Sequence, residues 1–343
     1  MTYKLISFIV SESKRLKKGP EIEQKPLESA PQYYKSTIPS QYAMAEEKLK
    51  VGEVGELKFL VRAYPPENIL VEASVEVSDI FSEKTFQLRD QLIDACHKIS
   101  KKYGANKDLS EEYSVALVSG YDGDPEQFFA KKAAIASFLK SENQVLDDNE
   151  IEYTISKQIK YAKDDLVIVD WDGAFVFDTA GQIDDIIDLF QTANLQLLRL
   201  RTLDKELDDR LRKAARFTQP IESKWSIFSW KRRREVAKAF QEVITARSRA
   251  IADFEAIDRD IKMIGDWYSA RLYDLTSKKF KLNEWRDNVK EKLDSLEEIY
   301  SIVSENFSVS RNEALELLQI LLFFVLQIGW FALIILEFFY FTK

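Results

Sequence analysis

From Leu317 to Phe341 the chain runs for 25 residues without a lysine or an arginine. At about 1.5 Å per residue, a helix of this length would be roughly 37 Å long, which exceeds the roughly 30 Å hydrocarbon core of a bilayer. The alternative is a buried core helix, but such helices rarely stay apolar on every side for so long. We therefore predict one membrane-spanning helix near the C-terminus, with almost all of the mass outside the bilayer.

Three polar side chains interrupt this apolar segment, at Gln319, Gln327 and Glu337. The two glutamines, eight residues apart, are expected roughly on one helix face, with Glu337 on another. A glutamine amide within a bilayer is stabilised by hydrogen bonds to a partner helix. A carboxyl group at this depth needs a partner or a route to the interface. We expect the three residues to form helix–helix contacts in an oligomer; for Glu337, simple toleration near the end of the span is an equal alternative.

The N-terminal sequence bears on the topology of the membrane anchor. Its apolar stretch, Ile6 to Val10, is too short for the hydrophobic region of a signal peptide, and the charges follow it rather than precede it. We therefore expect a single-pass protein whose large N-terminal part stays on the cytoplasmic side, or on the matrix side in an organelle. The lysine-rich start is a weaker indication of organelle targeting, because it contains few arginines.

The composition excludes several kinds of chemistry. The only cysteine, Cys96, leaves no intrachain disulfide and no multi-cysteine zinc site, and the only histidine, His97, excludes a two-histidine zinc motif. These neighbours on a predicted helix point about 100° apart, so they do not form a nucleophile–base pair. The net charge of −8 argues against a general nucleic-acid binder. We expect no enzymatic activity, no cofactor and no metal.

Two acidic turns are candidate cation or hydrolytic sites. Asp122 and Asp124 flank Gly123, but turn formation and helix capping explain them. Asp170 and Asp172 flank a second turn, and no pocket-forming pattern marks them as a catalytic pair. We assign both clusters to turn formation.

Hydrophobic periodicity predicts an α+β domain with an antiparallel or mixed sheet and packed helices over residues 51–195. Two hairpins are indicated, one by alternating segments around Pro65 and Pro66, the other by Asp172-Gly173 between two apolar runs. The remaining predicted elements are strands at 113–118 and 151–160 and helices at 82–103, 125–139 and 182–193. Residues 1–50 contain four prolines among polar residues, which predicts an extended, partly disordered arm.

The segment between the sheet domain and the span has a different pattern. From Val236 to Leu275, and again from Leu282 to Phe307, apolar residues recur at intervals of three and four. This spacing is typical of a coiled-coil seam. We expect a long antiparallel helical hairpin over residues 196–316, followed by the membrane helix at 317–341. The seam could pack within one chain or join subunits, and the sequence favours neither.

A basic, aromatic stretch lies in the predicted break between helices. Its cations and aromatic residues are Trp225, Trp230, Lys231, Arg232, Arg233 and Arg234. Such a combination suits an anionic surface, either a membrane or a phosphate backbone. The alternative is a solvated loop. If the stretch binds, its partner would be a second membrane or a ribonucleoprotein.

The C-terminal half resembles the DUF155 family of proteins required for meiotic nuclear division. The resemblance runs from about Asp165 to Phe339 and includes the hairpin DDLVIVDWDGAFVFD, the helix end LDKELDD, the long helices and the late acid in LIILEFF. Gly173, Val176 and Phe177 fit the family's hairpin, and Glu337 stands where the family has an intramembrane acid. The resemblance implies a homo-oligomeric, membrane-anchored scaffold without established enzymatic activity, in a family whose mitochondrial member is associated with organelle translation.

These patterns together predict a membrane-anchored, homo-oligomeric scaffold or tethering protein. The alternative is an oligomeric ion channel or transporter of CorA-like shape, in which a ring of single spans carries Gln319, Gln327 and Glu337. CorA channels have two spans and a Gly-Met-Asn motif at the pore mouth, and this sequence has neither. A weaker third alternative is a nucleic-acid tether through the basic stretch.

Overall fold

Strands dominate the first half of the computed structural model, which describes residues 1–13, 19–22, 40–142, 144–215, 237–239, 241–248, 250–252 and 267–341. Its β-strands are β1 (Thr2–Ser13), β2 (Tyr42–Val51), β3 (Gly55–Tyr64), β4 (Asn68–Val77), β5 (Ala105–Ser119), β6 (Gln158–Ile159), β7 (Asp165–Val169) and β8 (Gly173–Asp178). They form one sheet in the order β2-β3-β4-β1-β5-β8-β7-β6. Neighbouring strands are antiparallel except β5 and β8, which are parallel. This mixed sheet confirms the α+β class.

The helices are α1 (Glu83–Lys102), a 3-10 helix (Pro125–Lys131), α2 (Lys132–Leu139), α3 (Asp148–Ile155), α4 (Asp184–Ala214), α5 (Trp267–Lys279) and α6 (Leu282–Phe341). Residues 237–239, 241–248 and 250–252 are also helical. The chain divides into two units, one formed by residues 1–205 with 253–289 and the other by residues 206–252 with 290–343. We refer to them as the sheet unit and the helical unit.

The sheet of the sheet unit is covered on both faces. On one face, Leu5 and Ile9 of β1 join Leu92 of α1 in a large buried cluster. On the other face, the ring of Tyr113 in β5 lies 5.3 Å from the ring of Phe190 in α4. Because successive residues of a strand point to opposite faces, central strands covered on both faces need apolar residues at nearly every position.

This two-sided burial corrects the arm expected over residues 1–50. β1 is a central strand between β4 and β5, and Leu5, Phe8 and Ile9 are completely buried. The apolar run Ile6–Val10 is therefore a strand that lies between two layers of helices, and it lacks the alternation of a strand with one solvent face. Residues 42–50 are also strand, in β2. Residues 14–18 and 23–39 of the expected arm lie outside the described residues.

A second correction concerns the strand expected over 151–160, where the structure has helix α3 and only the two-residue β6. The backbone N–H of Asn149 donates to the carboxylate of Asp147 over 2.9 Å, which caps the helix. Ile151 and Ile155 are buried and four residues apart, so they lie on one helix face as well as on one strand face. The apolar spacing therefore fits a helix and a strand equally well, and the cap formed by Asp147 favours the helix.

The hairpin predicted at Asp172-Gly173 is confirmed, since β7 pairs with β8 across this turn. A Cβ atom added to Gly173 would lie 2.7 Å from the carbonyl oxygen of Ser114 in the parallel neighbour β5. Glycine is therefore required by the close approach of two backbones. The hairpin of β3 and β4 and helix α1 are also confirmed.

Helix α5, expected in the helical hairpin, packs in the sheet unit instead. The Nζ of Lys279 in α5 donates a hydrogen bond to Asp170, and Tyr273 donates one to the buried Gln196 of α4. Its apolar residue Leu272 is completely buried. The apolar spacing of α5 therefore serves sheet packing, because spacing alone cannot distinguish a coiled-coil seam from the inner face of a packed helix.

In the helical unit, segments of the same chain cover parts of the expected seam. Val243 and Ala250, and Leu293, Leu296 and Tyr300 of α6, are buried. Ion pairs connect the segments: Arg210 with Glu242, Lys292 with Asp208, and Arg247 with Glu297. The three helical stretches of this unit therefore contact one another within one chain.

Candidate functional site

Helix α6 contains the apolar segment that dominates the sequence. Leu318–Glu337 is a 20-residue stretch with a mean hydropathy of 2.4, and none of it is buried inside the chain. Phe324, Ile328 and Trp330 are 59%, 69% and 71% exposed. Within the described residues, this is the helix that is long and apolar enough to cross a membrane. A surface this apolar on all sides is costly in water and favourable in lipid.

The polar residues of this stretch, Gln319, Gln327 and Glu337, are all exposed on α6. Eighteen residues separate Gln319 from Glu337, which is five full helical turns, so these two lie on the same face, together with Trp330. Gln327 is about 80° away from both. The helix geometry thus corrects the expected grouping of the two glutamines on one face and sets Glu337 with Gln319.

The basic, aromatic stretch with Trp225, Trp230, Lys231, Arg232, Arg233 and Arg234 lies outside the described residues. Its binding to an anionic surface stays a prediction.

Two cavities with charged side chains in their walls lie among the described residues of the sheet unit, and the sequence indicated neither. The larger, about 780 Å³, lies on the α4 side of the sheet. Strands β1, β3 and β4 contribute Lys4, Arg62 and Glu72 to its lining, and the first turns of α4 contribute Asp184 and Asp188. Carboxylates therefore outnumber cations in its walls.

Arg62 is the centre of a hydrogen-bond network in the larger cavity. Its guanidinium donates to Gln41 Oε1 at 3.2 Å, to Gln191 Oε1 at 3.3 Å and to Glu72 Oε2 at 3.3 Å. Asp188 lies 3.8 Å away, and burial raises the pKa of its carboxyl to about 6 although Arg62 opposes the shift. The planar guanidinium with several fixed acceptors positions α4 on the sheet.

The smaller cavity, about 270 Å³, lies between α1, β5 and the β7–β8 turn. Asp172, Glu112 and Asp94 line it together with Arg89. Burial raises the pKa of Asp172 to about 6, and the nearby Arg89 opposes this shift. Asp172 therefore lines a cavity in addition to its place in the turn between β7 and β8.

Asp170, the other acid of the turn, is directed elsewhere. Its carboxylate accepts from Lys279 at 2.9 Å, lies 3.4 Å from the Nζ of Lys140, and is buried. Two lysines therefore hold the carboxylate of Asp170, while Asp172 lines the smaller cavity.

Cys96 and His97 have different surroundings in the structure. Cys96 is completely buried, and burial raises the pKa of its thiol. His97 contacts Glu112, with 2.5 Å between Nε2 and Oε1. No group of three or more His, Cys, Asp or Glu side chains among the described residues is arranged to hold a metal ion.

Sequence comparisons show which family has this sheet. A family model described as the N-terminal domain of the uncharacterized protein MJ0711 matches residues 8–184, from within β1 to the first residue of α4. The uncharacterized protein MJ0711 of Methanocaldococcus jannaschii is 26% identical over 242 residues, which make up 70% of this chain and 72% of that protein. No solved structure matches. The resemblance to DUF155 stays a prediction. Because the family model matches more than half of its residues, this chain belongs to the family defined by the MJ0711 N-terminal domain.

Proposed function

We propose that this chain is a membrane-anchored, homo-oligomeric scaffold that tethers its sheet unit to a bilayer and acts without catalysis. The observation that carries the proposal is that no part of Leu318–Glu337 is buried within the chain. At about 1.5 Å per residue these 20 residues extend roughly 30 Å, which matches the hydrocarbon core of a bilayer. Lipid is the solvent that such a surface fits.

Membrane extraction tests the anchor. Washing isolated membranes at alkaline pH releases peripheral proteins, and we expect the full chain to stay in the pellet. Replacing both Phe324 and Ile328 by arginine puts two charges at the centre of the span, at a cost of about 3 kcal/mol each. This variant should move to the supernatant. The matched control replaces Ile251 and Ile302 by arginine. Both residues are exposed but lie outside the span, so this control should stay in the pellet. A wild-type chain that is released at alkaline pH would rule out the anchor.

The oligomer is supported by the polar side chains of the span. A glutamine amide has both donors and acceptors, so the same residue of a second copy can satisfy it in a symmetric, parallel contact. Gln319 and Glu337 on one face, and Gln327 beside it, would then be removed from lipid. We also propose that the helical unit forms the coiled-coil hairpin expected from its apolar spacing and supports the same assembly.

Light scattering of the chain in mild detergent tests this assembly. We expect a particle whose protein mass is a multiple of 39.8 kDa. Replacing Gln319 and Gln327 by leucine should shift the mass towards the monomer, while Glu316→Leu, just before the span, should not. A monomeric wild-type particle would overturn the oligomer and leave the anchor standing.

We further propose that the sheet unit stays on the cytoplasmic side. The segment Ile6–Val10 supports this because it is the centre of the sheet, paired with β4 and β5. Removing or inserting it as an export signal would destroy the fold. A protease added outside sealed cells should leave the sheet unit intact. Digestion of the sheet unit under these conditions would show that it lies outside the cell.

The channel alternative rests on the same polar side chains. A ring of spans would direct Gln319 and Glu337 towards its axis. Ion flux into liposomes that contain the purified chain, lost on Glu337→Ala, would favour a channel, and its absence would favour the scaffold.

A further inference from the structure

Strand β5 is paired unequally on its two sides. On one side it pairs with β1 from Ser110 to Ser119, and again at Ala105 after an irregularity in the ladder. On the other side its partner is β8, and this pairing covers only Ser114 to Val118. No described strand lies beside the first nine residues of β5 on that side. The sheet therefore has a notch where β8 begins.

Two residues of β5 direct backbone groups into this notch. The N–H of Ser114 donates to the carbonyl oxygen of Asp172 over 3.3 Å, so the backbone groups of Ser114 point towards β8. Because these directions alternate along a strand, the N–H and C=O groups of Glu112 and Ser110 point to the same side. No other described element hydrogen-bonds to these groups. Four backbone groups are thus available to an added strand.

The smaller cavity opens at the same place, and its charge selects the added strand. Its lining contains one cation, Arg89, and four acidic side chains, those of Asp90, Asp94, Glu112 and Asp172. The cation in its wall, Arg89, is already engaged, because it donates to the Phe138 carbonyl oxygen at 2.9 Å and to Asp90 at 3.0 Å. The cavity therefore has an excess of negative charge.

We propose that this notch binds an extended basic peptide, which adds to the edge of β5. Its backbone pairs with Ser110 and Glu112, and a lysine or arginine side chain enters the cavity between Asp94 and Asp172. Main-chain hydrogen bonds give such strand addition its affinity, and alternate side-chain pockets give it specificity. The acidic walls disfavour a nucleic acid. The site supplies a partner for the proposed scaffold but does not depend on membrane insertion, since binding can be measured in detergent.

The probe is a fluorescein-labelled peptide, Thr-Val-Lys-Val-Lys-Val-Thr, added to the full chain in detergent and followed by fluorescence anisotropy. Ser110→Pro removes one N–H that faces the notch, and proline is tolerated at an edge when the missing N–H does not belong to the ladder. We expect Ser110→Pro to weaken binding about tenfold. Ser110→Ala, the matched control, keeps the N–H and should bind like the wild type.

The charge of the cavity is tested separately. Asp172→Asn should weaken binding about fivefold, and a probe with glutamate in place of lysine should not bind. Equal binding of the two probes, or equal affinity of Ser110→Pro and Ser110→Ala, would overturn the proposal. If circular dichroism shows that Ser110→Pro is unfolded, backbone N-methylation of the probe decides instead. Two probes are then compared, each with one of the two alternate sets of amides N-methylated. Only one set can face β5, so binding to the wild type must be lost for one of the two probes. Binding that neither methylated set affects would overturn the proposal.

Discussion

The ammonium group of Lys279 donates a hydrogen bond to the carboxylate of Asp170, with 2.9 Å between Nζ and Oδ1. Lys279 is the last residue of α5, and Asp170 directly follows β7. Both side chains are mostly buried, at 14% and 8% exposure. This ion pair therefore fixes the end of α5 to the sheet from a position 109 residues away in sequence.

Replacing Lys279 by methionine should destabilise the sheet unit by about 1–3 kcal/mol, because a buried carboxylate loses one of its two cations. The measurement is denaturant unfolding of the full chain in detergent, followed by near-ultraviolet circular dichroism. Lys278→Met is the matched control. Lys278 pairs with Asp274 on the surface, with 69% and 64% exposure, and such pairs contribute a few tenths of a kcal/mol. Equal stability of the two variants would show that the buried pair contributes nothing.

The sequence could predict those parts of the fold that local patterns determine. The β3–β4 hairpin follows from alternation around Pro65 and Pro66, and helix α1 from its apolar period. β1 could not be recognised in this way, because its neighbours β4 and β5 begin 55 or more residues later and the covering helices remove its alternation. Alternation of polar and apolar residues identifies a strand that has one solvent-exposed face. A strand that is covered on both faces lacks this alternation.

The polar sites were beyond the sequence for a related reason. The Arg62 network joins residues 21 and 129 positions away, Gln41 and Gln191. No regular spacing in the sequence relates residues that come together only because of the order of strands in the sheet. By contrast, the long apolar helix was predictable because its determinant is continuous: a 20-residue stretch of one helix with a mean hydropathy of 2.4.

Gly173→Ala should destabilise the sheet unit by about 1–3 kcal/mol. The added Cβ would lie 2.7 Å from the Ser114 carbonyl oxygen, so β5 and β8 would have to separate. The thermal unfolding midpoint is the measurement. Gly329→Ala is the control, because a Cβ there meets nothing within 4 Å. An unchanged midpoint for Gly173→Ala would mean that the two backbones approach less closely than the structure shows.

Glu111 should make stability depend on pH. Burial raises the pKa of its carboxyl to about 7, although Arg201 opposes the shift. The folded chain therefore holds this proton more tightly than the unfolded chain, whose glutamate has a pKa of about 4.3. The resulting stabilisation is complete below pH 4.3 and is lost as the pH rises to about 7. Glu111→Gln should therefore gain up to about 3 kcal/mol relative to the wild type between pH 4.5 and 7.5.

The neighbouring Glu112 is the control of opposite sign. A hydrogen bond from His97 lowers the pKa of its carboxyl, so its contribution is present above the unfolded pKa and is lost as the pH falls. Unfolding midpoints measured from about pH 2.5 to 7.5 should show Glu111→Gln rising above the wild type as the pH increases past about 4.3, and Glu112→Gln approaching the wild type as the pH falls below about 4.3. Parallel curves would contradict the different environments of the two faces of β5.

Arg62→Met should be the most damaging of these substitutions, with an expected loss of about 3–5 kcal/mol. The Arg62 side chain is 19% exposed, and its guanidinium faces Asp188 and Glu72, whose side chain is 14% exposed. Without Arg62, the carboxylates of Glu72 and Asp188 would lose the cation of the network, whose other members Gln41 and Gln191 are neutral. Arg62→Lys keeps the charge but cannot donate to all of these acceptors, so an intermediate loss is expected.

Two further variants separate charge from packing in this network. Changing Glu72 to glutamine and Asp188 to asparagine in the Arg62→Met background removes the stranded charges, and should recover part of the lost stability. Lys58→Met on the same strand breaks only the exposed pair with Glu46, and should cost little. Denaturant unfolding of Arg62→Met, Arg62→Lys, the triple variant and Lys58→Met measures the order of their stabilities. If the triple variant recovers nothing, the loss comes from the missing side-chain volume, and α4 is held on the sheet by packing rather than by the charges around Arg62.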